Sequence, residues 1–351
     1  MTGSLAFLVL GLVLLVAGAE GLVRGASRLA SRVGVSALVV GLTVVAFGTS
    51  APELAVSLES SLSGQADIAL GNVVGSNIFN ILVILGLAAL VTPLRVAADL
   101  VRIDVPLMIG VSALAIGLGL DGRIGRWEGA VLFACLLAFL LYLFRARRPA
   151  DDGDGGEAVA GGGHWAADVA WVAGGLALLV VGAGWLVDSA ITIARFLEVS
   201  ELVIGLTIVA AGTSLPELAT SVIASLRGER DIAVGNVVGS NFFNIAAVLG
   251  LAAMASPEGV EVSRAALRFD MPVMMAAALA CLPVFFIGHV ISRWEGGVFV
   301  AGYACYAVLL GMNSTGNAVL DPFEEAMLFL VIPLALLTLA IYWARIKRRG
   351  A

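Results

Sequence analysis

Residues 35–87 of this chain return at 199–251. Without a gap, 36 of the 53 positions are identical, and every matched pair lies 164 residues apart. Gly-Thr-Ser-Ala-Pro-Glu at 48–53 answers Gly-Thr-Ser-Leu-Pro-Glu at 212–217, and Gly-Asn-Val-Val-Gly-Ser-Asn fills both 71–77 and 235–241. Each copy sets a proline, a glutamate and several hydroxyls inside a long apolar run. A fold must place such a segment twice, and each time its polar groups need partners that lipid cannot supply.

The apolar setting is general. Hydrophobic residues make up 60% of the chain, charged residues 13%, and the mean hydropathy is +1.03. A water-soluble domain has no means of covering so much apolar surface, so the bilayer is its solvent. Cys135, Cys281 and Cys305 lie in apolar runs without CxxC spacing and read as small buried hydrophobes. Neither His164 nor His289 has a partner at metal-ligand spacing. No Lys or Arg precedes Arg24, so the run Leu5–Gly18 reads as a first span and not as a cleaved leader.

Breaks of charge and glycine separate eleven apolar segments, near 4–23, 35–61, 67–91, 103–120, 128–144, 166–188, 200–226, 231–255, 269–288, 295–312 and 324–344. With the N-terminus outside, 15 of the 20 Lys and Arg residues fall on the cytoplasmic side and 5 outside, as the positive-inside rule requires. The predicted protein is all-α and polytopic, in the cell membrane, with its C-terminus in the cytoplasm. The repeat recurs five spans later, and an odd interval turns the second copy over. Two inverted five-helix repeats, ten core helices in all, are therefore expected at 1–145 and 166–314. A cytoplasmic linker at 146–165 joins them, and an additional C-terminal helix with a basic tail follows at 315–351. The acidic run 151–157 lacks EF-hand spacing and reads as linker. Asp104-Val-Pro106 and Asp270-Met-Pro272, with Trp127-Glu-Gly129 and Trp294-Glu-Gly296, echo the repeat weakly. They read as helix starts with Asp caps and interfacial Trp anchors.

Pro52 removes a backbone donor, so the helix around it should break near its middle. In lipid such a break is tolerable only against a polar cavity or an ion. The carbonyl of Ala46 is a candidate freed acceptor, and Thr49, Ser50 and Glu53 follow within a turn. The next helix adds Ser76 and Asn80 on one face. The second copy repeats the set as Ala210, Thr213, Ser214, Glu217, Ser240 and Asn244. Asn77 and Asn241 read as packing or backbone-bonding residues. Every donor in the set is a hard oxygen, which suits Ca²⁺ or Na⁺ and not the transition metals that favour His and Cys.

The two motif pairs and the five-plus-five layout resemble the α-repeats of the sodium/calcium exchanger family, over about 310 residues. The resemblance implies electrogenic exchange of three Na⁺ for one Ca²⁺ by alternating access, usually expelling calcium. It implies no cofactor, no nucleic acid and no obligatory protein partner, only the bilayer and the transported ions. It also implies that the first and sixth spans slide across a core holding the ions, and that the twelve residues from Ala46 to Asn244 named above are the ion ligands. One position departs. Some prokaryotic relatives and the potassium-dependent ones carry Asp where this chain has Asn244, which points to potassium independence and weaker pH dependence.

Three rivals remain. Proton/calcium antiporters of the same superfamily usually carry Gly-Asn-x-x-Glu in place of Gly-Thr-Ser-x-Pro-Glu, and so lack the threonines at Thr49 and Thr213. A cation channel would pass Ca²⁺ without counterflow. A membrane enzyme could use paired acids, but no nucleophile, metal triad or cofactor loop accompanies them here.

Overall fold

A computed structural model describes residues 2–146, 165–197, 210–286 and 288–314. Helix α1 (Thr2–Val33) is followed by α2 (Ala37–Thr49) and α3 (Ala51–Leu62). Then come α4 (Ala66–Phe79, continued through Asn80–Leu85 and Gly86–Val91), strand β1 (Leu94–Arg95), α5 (Leu100–Leu118), β2 (Arg123–Ile124) and α6 (Arg126–Ala146). The second half gives α7 (Trp165–Phe196), the short α8 (Ala210–Gly212), α9 (Leu215–Leu226), α10 (Arg230–Ala255), β3 (Val260–Glu261), α11 (Ala266–Phe285), β4 (Val290–Ile291) and α12 (Arg293–Ser314). Among the described residues eight helices are long and apolar enough to cross a bilayer, or nine when α2 and α3, bent by 45°, count as one broken span. The expected linker, the first part of the span at 200–226 and the eleventh span lie outside the described residues.

Repeated sequence folds to repeated structure at matching positions. Adding 164 to the bounds of α3 gives those of α9. The same shift maps Ala66–Phe79 onto Arg230–Phe243, and Asn80–Leu85 onto Asn244–Leu249. Those last two stretches are π-helical, each opening at an asparagine, and widened turns of this kind mark functional positions more often than chance.

The chain forms two compact units, each drawing on both copies of the repeat. The first comprises Met1–Pro52 and Leu137–Ser240, the second Glu53–Leu136 and Asn241–Ala351. In the first unit α1 lies antiparallel to α7 along a seam of glycines seven residues apart. A methyl added to Gly11 would stand 2.8 Å from the carbonyl oxygen of Gly182, and one on Gly18 2.8 Å from that of Gly175. Backbones approach this closely only without side chains between them. Gly235 and Gly239 bring α10 against α2 in the same way.

Both seam helices run further than hydropathy suggests: the expected 4–23 and 166–188 extend to Val33 and Phe196. Beyond its apolar stretch the extension of α1 is held by polar contacts. Glu20 pairs with Arg24 and Arg227, Arg32 pairs with Asp168, and Ser27 donates to Glu229.

In the second unit two short antiparallel ladders join the copies. Leu94 pairs with Ile291 and Arg95 with Val290, while Arg123 pairs with Glu261 and Ile124 with Val260. The Trp-Glu-Gly echoes resolve into three separate tasks. Glu128 accepts the N–H of Gly125 and Glu295 that of Ser292, each closing the first turn of its helix. Gly129 packs on Gly250 and Gly296 on Gly86, while Trp127 and Trp294 are exposed. The expectation of Asp caps fails. Asp104 makes no capping hydrogen bond and is buried, and Asp270 accepts the hydroxyl of Tyr306 at 2.8 Å. The helices run on through both residues, so no free N-terminal N–H awaits them.

Candidate functional site

In the first unit α2 ends at Thr49 because the chain cannot continue as a regular helix into Pro52. Ser50 leaves helical geometry (φ −80°, ψ 7°), and Ser214 does the same in the other copy (φ −89°, ψ 8°). The break does not release Ala46, whose carbonyl accepts the N–H of Ser50 at 3.0 Å. Pro52 instead withholds the helical bond due to Gly48, four residues back. Ala46 keeps a second lone pair, 3.3 Å from Thr49 Oγ1.

Around this break the first unit buries Thr49, Ser50, Ser214, Glu217 and Ser240, all at 3% exposure or less, with Thr213 half-buried. Ser50 Oγ donates to Glu217 Oε1 at 3.1 Å. Glu217 Oε2 and Ser240 Oγ are buried without a hydrogen-bond partner among the described residues. Ala210 opens α8, just before the break in its copy.

The second unit holds Glu53, Ser76, Asn80 and Asn244, each buried to 1% or less. Asn77 Nδ2 donates to the carbonyl of Asn241 at 3.2 Å, and its Oδ1 accepts from Asn244 Nδ2 at 3.1 Å. Asn77 thus has the backbone-bonding role expected of it and also orients Asn244, turning that residue's amide oxygen away from the bond. Neither Asn80 Nδ2, Asn80 Oδ1 nor Asn244 Oδ1 has a partner among the described residues. A buried polar atom left unbonded costs about 1–3 kcal/mol, and here several recur at corresponding positions of the two copies.

Two residues escaped the sequence reading. Asn72 Nδ2 donates to the carbonyl of Glu53 at 3.1 Å and to Ser57 Oγ at 3.0 Å in the second unit. Asn236 Nδ2 donates to the carbonyl of Glu217 at 3.4 Å and to Ser221 Oγ at 3.0 Å in the first. The signal was present, since both asparagines belong to the repeated heptapeptide, but their partners lie fifteen and nineteen residues back and on another helix.

Chemically, buried carboxylates, amides and hydroxyls with unused lone pairs can coordinate hard cations. The family model described as sodium/calcium exchanger protein matches residues 3–145 and 168–312. The chain is 35% identical over 353 residues to sodium/calcium exchanger MaX1 of Methanosarcina acetivorans, covering 88% of this chain and 99% of that one. It is 41% identical over 289 residues to inner membrane protein YrbG of Escherichia coli, covering 78% and 86%. The sodium/calcium exchanger from Methanococcus jannaschii superposes with a TM-score of 0.76 at 31% identity, over 87% of this chain and 97% of that chain. The chain belongs to the sodium/calcium exchanger family and is a multi-pass membrane transporter, not an enzyme.

Proposed function

We propose that this protein exchanges Na⁺ for Ca²⁺ across the cell membrane by alternating access, three for one and electrogenically, in the direction of calcium extrusion. The observation that carries the reading is that each unit buries oxygens without a hydrogen-bond partner among the described residues: Glu217 Oε2 and Ser240 Oγ in the first, the amide oxygens of Asn80 and Asn244 in the second. Hard neutral and anionic oxygens suit Ca²⁺ and Na⁺. Together Glu53 and Glu217 would match the charge of one Ca²⁺. Ala46, Thr49, Ser50, Ser76, Asn80 and their counterparts Ala210, Thr213, Ser214, Ser240 and Asn244 complete the ligands for Ca²⁺ or for Na⁺ in its place. The hydroxyls of Thr49 and Thr213 favour sodium over proton coupling.

Two inverted repeats, 1–145 and 166–314, provide the alternation, with 146–165 as cytoplasmic linker and 315–351 as an appended helix and tail. The matching element bounds and the reciprocal strand pairing, β1 with β4 and β2 with β3, support this arrangement. The glycine seam would let α1 and α7 move together across the ion-holding helices. The distribution of basic residues supports an outside N-terminus and a cytoplasmic C-terminus.

Proteoliposomes loaded with Na⁺ test the reading. ⁴⁵Ca²⁺ should enter only while the outward Na⁺ gradient lasts, and a proton uncoupler should leave the rate unchanged. Uptake abolished by the uncoupler would assign proton coupling, and uptake without internal Na⁺ would assign a channel.

A further inference from the structure

Asn236 sits in a chain of hydrogen bonds whose direction is determined at one end. Ser221 Oγ donates to the carbonyl of Ala233 at 3.4 Å, so its lone pairs face the amide of Asn236, and it accepts Nδ2–H at 3.0 Å. The same NH₂ group reaches the carbonyl of Glu217 at 3.4 Å. With the nitrogen committed to that side, the amide oxygen must face the other way, where Thr49 Oγ1 stands at 3.1 Å. An amide oxygen only accepts, so Thr49 donates.

Thr49 has one proton and two acceptors in reach, Asn236 Oδ1 at 3.1 Å and the Ala46 carbonyl at 3.3 Å. If Ala46 took it, that carbonyl would have both lone pairs in use, one already holding the N–H of Ser50. When Asn236 takes it, the carbonyl of Ala46 keeps a free lone pair and the hydroxyl of Thr49 turns its own lone pairs outward. Asn236 is fully buried, as are Thr49 and Ala46, so water cannot substitute.

We propose that Asn236 is a positioning residue that orients Thr49 and Ala46 as neutral oxygen ligands for Na⁺, and that it thereby sets the sodium affinity of the exchanger separately from its calcium affinity. This rests on the exchange reading above. Asn72 makes the corresponding bonds to Glu53 and Ser57 in the other unit, which shows that the helix–helix clamp itself is part of the repeat. The link to Thr49 is what gives Asn236 its effect on the ions. Residues behind a metal ligand typically change affinity by about 10- to 100-fold when removed.

The test is Na⁺-gradient-driven ⁴⁵Ca²⁺ uptake by the full chain in proteoliposomes, with half-saturating Na⁺ and Ca²⁺ measured for wild type, Asn236→Ala and Ser221→Ala. For Asn236→Ala, half-saturating Na⁺ should rise about tenfold or more while half-saturating Ca²⁺ moves by no more than about threefold. Ser221→Ala, which frees the amide to rotate, should shift the same ratio in the same direction by a smaller factor. It carries the test alone if Asn236→Ala cannot be purified. An unchanged ratio in the variants, or equal shifts in both constants, overturns the proposal while active wild type leaves the exchange reading standing. Wild type that moves no Ca²⁺ against Na⁺ overturns both.

Discussion

Glu217 is fully buried, with one carboxylate oxygen engaged by Ser50 and the other without a partner among the described residues. Such a group holds its charge only when a cation shares the site, because isolated burial of a carboxylate is far costlier than any hydrogen bond offsets. Glu217→Gln and Glu53→Gln should each abolish ⁴⁵Ca²⁺ uptake while leaving the amount and melting temperature of purified protein close to wild type; transport retained by both would place the ions elsewhere. Asn244→Asp adds a titratable group to the second unit. Its uptake should fall more steeply than wild type as the medium is acidified, because a protonated carboxyl no longer draws cations to the site. Superimposable pH profiles would refute this. The carboxylates, hydroxyls and amides were legible in the sequence because the duplication displays them twice. The freed carbonyl was misassigned, since Pro52 withholds a donor from Gly48, four residues back, and Ala46 keeps its helical bond. Asn236 was missed because its meaning lies in the direction of a hydrogen-bond chain, which no spacing reveals.

At the scale of helices, apolar runs located nearly every described span to within a few residues. They failed at the ends of α1 and α7, where the expected spans stop before Arg24 and at Asp188 but the helices do not. Arginine, alanine and leucine are all good helix formers, and in α1 the ion pairs of Glu20 and Asp168 absorb the charge of Arg24 and Arg32. The π-helical turns at Asn80 and Asn244 and the two-residue strands were equally invisible, being too short for any periodicity to register. The glycine seam can be tested directly. Gly18→Val should force α1 and α7 apart at a point where even a methyl would lie 2.8 Å from a carbonyl oxygen, at a cost of about 1–3 kcal/mol. Thermal unfolding of the purified variant should occur several degrees lower, whereas Gly3→Val, with nothing within 4 Å of its added carbon, should melt as wild type does.

For the molecule as a whole, three Na⁺ against one Ca²⁺ would carry one net positive charge per cycle. A tenfold sodium gradient supplies about 1.4 kcal/mol per ion. The net charge adds about 2.3 kcal/mol per 100 mV, so the coupled ions could sustain a calcium gradient of several decades. Imposing an inside-positive potential with valinomycin and K⁺ should accelerate Ca²⁺ uptake into Na⁺-loaded vesicles, as Na⁺ leaves carrying the extra charge; a rate indifferent to voltage would indicate two-for-one exchange.

The reciprocal strand pairing has an implication for how such a molecule could arise. Each ladder takes one strand from residues 1–145 and one from 166–314, and each compact unit is likewise assembled from both. A chain carrying a single copy would leave its short strands unpaired and neither unit complete. With the inverted orientation proposed above, such a chain before any fusion would have had to insert in both orientations and find an upside-down sibling in the same membrane.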